Sequence, residues 1–225
     1  DPTTFADALA VLDRYYLTPR VPHNVLNHLR QGAAGQVPET LKTLPANVHN
    51  EILANNARSL AAARARAEQL GYRVLDLGSW IEGETRYVSV ALAGVARSVR
   101  AQGIPLAPPA CILSGGETTV MLVEDHGTGG RNQEFVLAAL AKLGREGMRG
   151  LTVLSGGTDG EDGPTDAAGA VADEGTLERA EARGLSAAAA LARNDAYPYF
   201  DATGDLIKTG LTGTNVMDVR VILVA

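Results

Sequence analysis

The chain has 225 residues, 20 Lys and Arg against 26 Asp and Glu, and a formal net charge of −6. With 45% hydrophobic and 20% charged residues it is not a disordered chain, and no apolar run reaches the roughly 18 residues that a membrane span needs. Its one cysteine, Cys111, excludes an internal disulfide and every Cys-cluster zinc site, and the acidic balance counts against a nucleic-acid footprint.

The first segment, TTFADALAVLDRYYL, places Phe5, Leu9, Leu12 and Tyr16 on one helical stripe, with capping groups at Asp1 to Thr4. DPTTFADALAV is acidic and amphipathic, without the basic-then-apolar order of a secretory signal, and the single cysteine gives the expectation of a reducing, cytoplasmic setting. A second short helix follows over Pro22–Arg30, and QGAAGQVPETLKTLP reads as a connector. From Val48 the pattern alternates. VHNEILA is a candidate strand, NNARSLAAARARAEQLG a helix ended by Gly71, YRVLDLG a strand, and ETRYVSVALAGVARSVRAQG a helix closed by Gly103. ACILSGG and ETTVMLVE read as two strands about a Gly-Gly turn, and Cys111, with apolar flanks, as a buried small hydrophobe. Helix RNQEFVLAALAKLGREG opens straight after GTGG, and GLTVLSGGTDG is a strand running into a Gly/Asp loop. Short helices around 177–192 and 196–203 precede a terminal strand, VMDVRVILVA. This order predicts an α/β fold, a mainly parallel or mixed sheet covered by helices, with Gly-rich loops at the strand ends. Aromatic residues are only 4%, so the core is expected to be built from Ala, Val and Leu.

Ligands of open α/β sheets sit beyond strand ends, where loops hand over to helix N-termini. Four loops stand out. Ser114-Gly115-Gly116-Glu117 allows a close approach of a ligand to the backbone, or is a plain hairpin turn with a solvated Glu117. Gly127 to Glu134 is a Gly-rich loop entering a helix, with Gly129 and Gly130 before Arg131, Asn132 and Glu134. Unpaired N–H groups and a guanidinium fork there suit phosphate or carboxylate, while Glu134 alternatively caps the helix. Between Thr158 and Asp166 four acidic residues fall within eight positions, Asp159, Glu161, Asp162 and Asp166. Crowded carboxylates suit a hard cation such as Mg²⁺, or an exposed acidic turn. Thr209 to Asp218 alternates Gly and Thr, offering donors to phosphate oxygens or forming a simple turn. No Walker loop, G-x-S-x-G elbow, H-E-x-x-H or complete G-x-G-x-x-G occurs, and His23, His28, His49 and His126 show no ligand spacing.

The runs ILSGGETTV, GTGGRNQEF, GGTDGEDGPTDAAGAV, ARNDAY with FDATGDLI, and TGTNVMDVRVILV together resemble the C-terminal MOFRL region of the class II glycerate 2-kinases, some members of which are labelled hydroxypyruvate reductase. The resemblance implies ATP-dependent phosphorylation of D-glycerate to 2-phosphoglycerate with Mg²⁺. It also implies a cleft between an N-terminal Rossmann-like domain and a C-terminal domain. Residues 1–45 then correspond to the tail of the N-terminal domain and its connector, and 46–225 to the C-terminal domain, with the MOFRL region at about 108–224. Carried onto this chain, Arg131 and Asp159 are catalytic. Glu117, Gly129, Gly130, Asn132, Glu134, Thr158 and Asn215 bind substrate or nucleotide, and Asp159 and Asp162 hold the metal. Family members are close to twice this length and take an active-site Lys from the N-terminal domain, whereas Lys42, Lys142 and Lys208 lie in no matching motif. The chain is therefore expected to be a fragment that supplies one side of the cleft, with the N-terminal domain and a homodimer mate as the partners to consider, and no nucleic acid or membrane. A nicotinamide-dependent hydroxypyruvate reductase and a non-catalytic ligand-binding module are the alternatives.

Overall fold

Thr4 and Asp7 cap one another's backbone in a reciprocal box and open α1 (Phe5–Arg14), as the sequence predicts. Tyr16 falls outside the predicted stripe: α1 ends at Arg14, and Tyr16 sits at φ 55 and is 85% exposed. α2 (His23–Ala33) packs against α1, with Gly32 against the Phe5 ring and His28 edge-on to that ring at 5.5 Å. The computed structural model describes all residues from Asp1 to Ala225, and these two helices belong to a first unit, Asp1–Ile52.

The second unit, Leu53–Ala225, holds the sheet. Its elements in chain order are α3 (Asn56–Gln69), β1 (Arg73–Asp76), β2 (Gly83–Glu84), α4 (Thr85–Gln102), β3 (Ala110–Gly116), β4 (Thr118–Thr119), α5 (Arg131–Met148), β5 (Leu151–Gly157), β6 (Gly169–Ala172), α6 (Thr176–Glu181), α7 (Ala187–Ala192), α8 (Ala196–Thr203), β7 (Leu206–Ile207) and β8 (Asp218–Val224). The six-stranded sheet has the order β1-β3-β8-β5-β6-β7. It is mixed: β1 and β3 are parallel, and every other neighbouring pair is antiparallel. The terminal strand inserts between β3 and β5, which is why the helical crossovers do not produce a mainly parallel sheet.

VHNEILA, expected as a strand, has no regular structure; Ile52 is 77% and Leu53 74% exposed, and no neighbouring strand pairs with the segment. ETTVMLVE is a strand only at Thr118–Thr119, which pairs with β2 in a separate two-stranded sheet rather than folding back on β3. β8 and β5 alternate strictly between buried and half-buried residues. One face packs on α4 and α5 through Val99, Ile112, Phe135, Leu140, Val153 and Ile222. The other packs Cys111 and Leu113 against Leu60 and Ala67 of α3. No helix is long and apolar enough to cross a membrane.

Candidate functional site

Strand register brings the predicted loops to one end of the sheet. Gly116 of β3 and Gly157 of β5 both lie opposite Asp218, the first residue of the antiparallel β8. The loops leaving β3 and β5 therefore meet the loop entering β8, and α5 begins there.

The first loop serves the protein's own chain. Gly116 has φ +105, and a Cβ there would stand 2.4 Å from the Ile81 carbonyl oxygen. Gly115 donates to Gly78 O at 2.8 Å and accepts from Ile81 N at 3.2 Å. Gly116 thus admits the segment before β2 and Gly115 the Asn56 side chain of α3, and the loop is not the plain hairpin.

At the start of α5 two of the backbone N–H groups expected to face a ligand, those of Asn132 and Gln133, are already taken. Asp162 Oδ1 accepts from Asn132 N at 2.9 Å and Oδ2 from Gln133 N at 2.8 Å, with Asn132 Nδ2 adding a contact at 3.2 Å. Asp162 is the built-in anion of this helix terminus. It is almost fully buried, and burial raises its pKa to about 6 against the pull of these donors. Gly130 is required for this contact, since a Cβ there would lie 2.3 Å from Asp162 Cγ.

Arg131 reaches Asp218 through two parallel bonds, Nε to Oδ2 at 2.8 Å and Nη2 to Oδ1 at 2.9 Å. Its Nη2 also stands 3.2 Å from Glu117 Oε1, and Asp218 raises the arginine's pKa further. Nη1 makes no hydrogen bond. Asp218, which sequence reading passed over as a site residue, is fully buried; it also accepts from Asn132 Nδ2 at 3.0 Å and Arg220 Nη2 at 3.2 Å. Asn132 accepts from Ser155 Oγ at 2.5 Å. Glu134 does not cap the helix: it pairs with Arg86 Nε at 2.6 Å and accepts from Asn194 Nδ2 at 2.8 Å. Asn194, at φ 51, also accepts from Val123 N and so ties the 120–127 strand-to-helix loop to the core.

The acidic loop and the Gly/Thr loop pack on one another. Thr158 donates to Met217 O at 2.7 Å and accepts from Val216 N at 2.8 Å, and Thr212 N donates to Asp159 O at 3.0 Å. Asp159 Oδ2 accepts from Asn215 Nδ2 at 3.1 Å. The expected metal pair is therefore divided in its partners, Asp159 on Asn215 and Asp162 on α5. No group of three or more His, Cys, Asp or Glu side chains is gathered to hold a metal ion.

Beside these loops lies a cavity of about 320 Å³, whose lining includes Gly129, Gly130, Arg131, Glu134, Leu122 and Asn194. Arg131 is the sole Lys or Arg on its wall, and Val120, Leu122 and Pro164 provide apolar surface. Glu117, Asn132, Thr158, Asp159, Asp162 and Asn215 surround the loops without lining it. The arrangement can bind an anion through the open edge of one guanidinium.

Residues 110–218, which span this site, match the family model described as the MOFRL family. Over its whole length it is similar to glycerate kinases. A glycerate 2-kinase of Pyrococcus horikoshii is 36% identical, with 100% of this chain and 50% of that protein aligned. A protein of Agrobacterium vitis with a provisional hydroxypyruvate reductase name is 42% identical over 100% of this chain and 49% of its own. The solved glycerate kinase of Thermotoga maritima superposes with a TM-score of 0.81 at 34% identity, covering 100% of this chain and 51% of that one. The chain spans about half the length of these relatives.

Proposed function

We propose that this chain is the C-terminal half of a glycerate 2-kinase, which transfers the γ-phosphoryl group of ATP to the 2-hydroxyl of D-glycerate. The observation that carries the reading is Arg131: it lines a cavity of about 320 Å³ at the loop cluster and has Nη1 free of hydrogen bonds, in a chain whose relatives are named glycerate kinases. Phosphoryl transfer asks for positioning and charge neutralisation rather than covalent help from the protein. Arg131 holds an anionic group of the reactants, with Gly129 and Gly130 letting it approach the wall. Glu117 is the protein's own counter-ion to Arg131, exchanged when the substrate anion arrives. Asn132, Glu134, Asp162 and Thr158 hold the frame.

The resemblance also implies Mg²⁺, and the fit to this chain is partial. Mg²⁺ bound to nucleotide phosphates takes one or two protein carboxylates, and Asp159, oriented by Asn215, is the carboxylate of this loop cluster that would meet it. When bound, the ion would neutralise charge on the phosphates. Asp162 is given no part in this reading, because it is 1% exposed and turned onto the start of α5.

The test is ADP release with D-glycerate and Mg-ATP by the longer protein of which this chain is half, with phosphorus NMR identifying the product. Phosphate on the 2-position, lost on Arg131→Ala with an unchanged circular dichroism spectrum, supports the reading. Hydroxypyruvate-dependent NADH oxidation without ADP release overturns it.

A further inference from the structure

Arg220 is an expensive residue in its place. It sits two positions along β8 from Asp218, on the face turned toward α5, and is 1% exposed. Its guanidinium lies 5.5 Å from the Phe135 ring centroid. Nη1 donates to Gly115 O at 3.3 Å, and Nη2 donates to Thr118 Oγ1 and Asp218 Oδ2, both at 3.2 Å. Nε is buried without an acceptor, and so is the Oγ of Ser114, its cross-strand neighbour. A buried cation with an unmet donor costs stability that a methionine of similar length would not. Asp218 does not need it as a counter-ion, since Arg131 already binds both carboxylate oxygens.

We propose that Arg220 is a positioning residue that sets the anion affinity of the cavity by sharing Asp218. With Arg131 alone, Asp218 forms a neutral pair. With Arg220 on the same Oδ2, two guanidiniums divide one carboxylate, and the excess positive charge falls where Arg131 Nη1 is open. Of the other carboxylates nearby, Asp162 faces the Asn132 and Gln133 amides of α5, and Glu117, 54% exposed and in contact with Arg131 at one atom, is the counter-ion that an incoming anion displaces, so the excess is what that anion meets. Arg220 also holds Thr118, which is among the residues lining the cavity. The ligand class is a small carboxylate or phosphate that Arg220 never touches. The inference deepens the kinase reading and rests on its assignment of the cavity as an anion site.

The experiment titrates D-glycerate and, separately, inorganic pyrophosphate onto the full chain by calorimetry, and follows exchange of the Arg131 Nε–H by nitrogen-labelled NMR. Arg220→Gln removes the charge but keeps a donor for Gly115 and Thr118; Arg220→Lys keeps the charge. The Gln variant is expected to weaken binding about tenfold, about 1.4 kcal/mol, and the Lys variant to recover to within about threefold. Equal binding by all three proteins overturns the proposal, and so does equal loss in both variants, which would assign the effect to packing. If the unsubstituted chain binds neither anion, the assignment of the cavity fails, and the exchange rate still decides the role of Arg220. Slower Nε–H exchange in the Gln variant, where Asp218 is no longer shared, supports the proposal, and an unchanged rate overturns it. Should the Gln variant not fold, Arg220→Met takes its place as the neutral form, with the same expected outcomes.

Discussion

Asp162→Asn separates the two forces acting on the built-in anion at α5. Burial raises the pKa of Asp162 from 3.8 to about 6, although three donors from Asn132 and Gln133 favour its charged form. A tenfold change in a proton-binding constant is worth about 1.4 kcal/mol, so the ionised folded form carries a penalty on the order of 3 kcal/mol. The folded pKa is raised, so the folded state holds a proton that the unfolded state has released between pH 3.8 and about 6. The contribution of this group to stability therefore falls as pH rises through that window and is flat above it. Asn does not titrate, but its amide nitrogen faces a backbone N–H where an oxygen stood, a pH-independent cost of about 1–3 kcal/mol. Urea unfolding followed by circular dichroism should find the variant clearly less stable than the parent at pH 4.5. The gap should close by about 2 kcal/mol by pH 7.5. A gap that widens toward neutral pH would refute the reasoning, because it would mean that the helix terminus outweighs burial.

Gly130→Ala should cost about 2–4 kcal/mol in the same assay, since its Cβ would stand 2.3 Å from Asp162 Cγ and push that cap off α5. Arg131→Ala should abolish glycerate phosphorylation in the longer protein, and Arg131→Lys should not restore it, because an ammonium cannot make both bonds to Asp218; ADP release measures both. Cys111 is buried against α3 with its thiol raised to about 11, so Ellman's reagent at pH 8 should label it only after denaturant is added.

The helices of this fold are legible because their ends carry local chemistry. Thr4 and Asn55 accept from backbone amides three residues on, and Gly103 closes α4 at φ 67. The sheet is less so. Nothing local to VMDVRVILVA says that it slides between β3 and β5, and β6 hides in a Gly/Asp stretch whose four residues pair only after the chain has turned back on β5. VHNEILA has strand-like residues but pairs with no strand, and Ile52 and Leu53 stay exposed. The site divides in the same way. Sequence reading located the loops, because glycines and acidic residues cluster there. It does not reveal the partners within the chain, because they are remote: Asp162 meets α5 across 30 positions and Arg131 meets Asp218 across 87. Asp218 and Arg220 lie in phase on an alternating strand, the one signal that both point inward, but only the register tells which face is buried.

The charge inventory at the cavity also bears on what this half achieves alone. Asp162 takes the Asn132 and Gln133 amides at the start of α5, and Arg131, shared with Asp218 and Glu117, is the one Lys or Arg on the cavity wall. A small monovalent carboxylate can be held by that. A transferring γ-phosphoryl group spreads charge over three oxygens and needs metal ions and further cations aimed at it. On the proposed reaction, those come from the half of the enzyme that these 225 residues do not include. The chain by itself should therefore bind D-glycerate weakly in calorimetry and release no ADP above background, and addition of the complementary half should start turnover. Full-rate phosphorylation by this chain alone would refute the argument, because it would require positive charge that the loop cluster does not have.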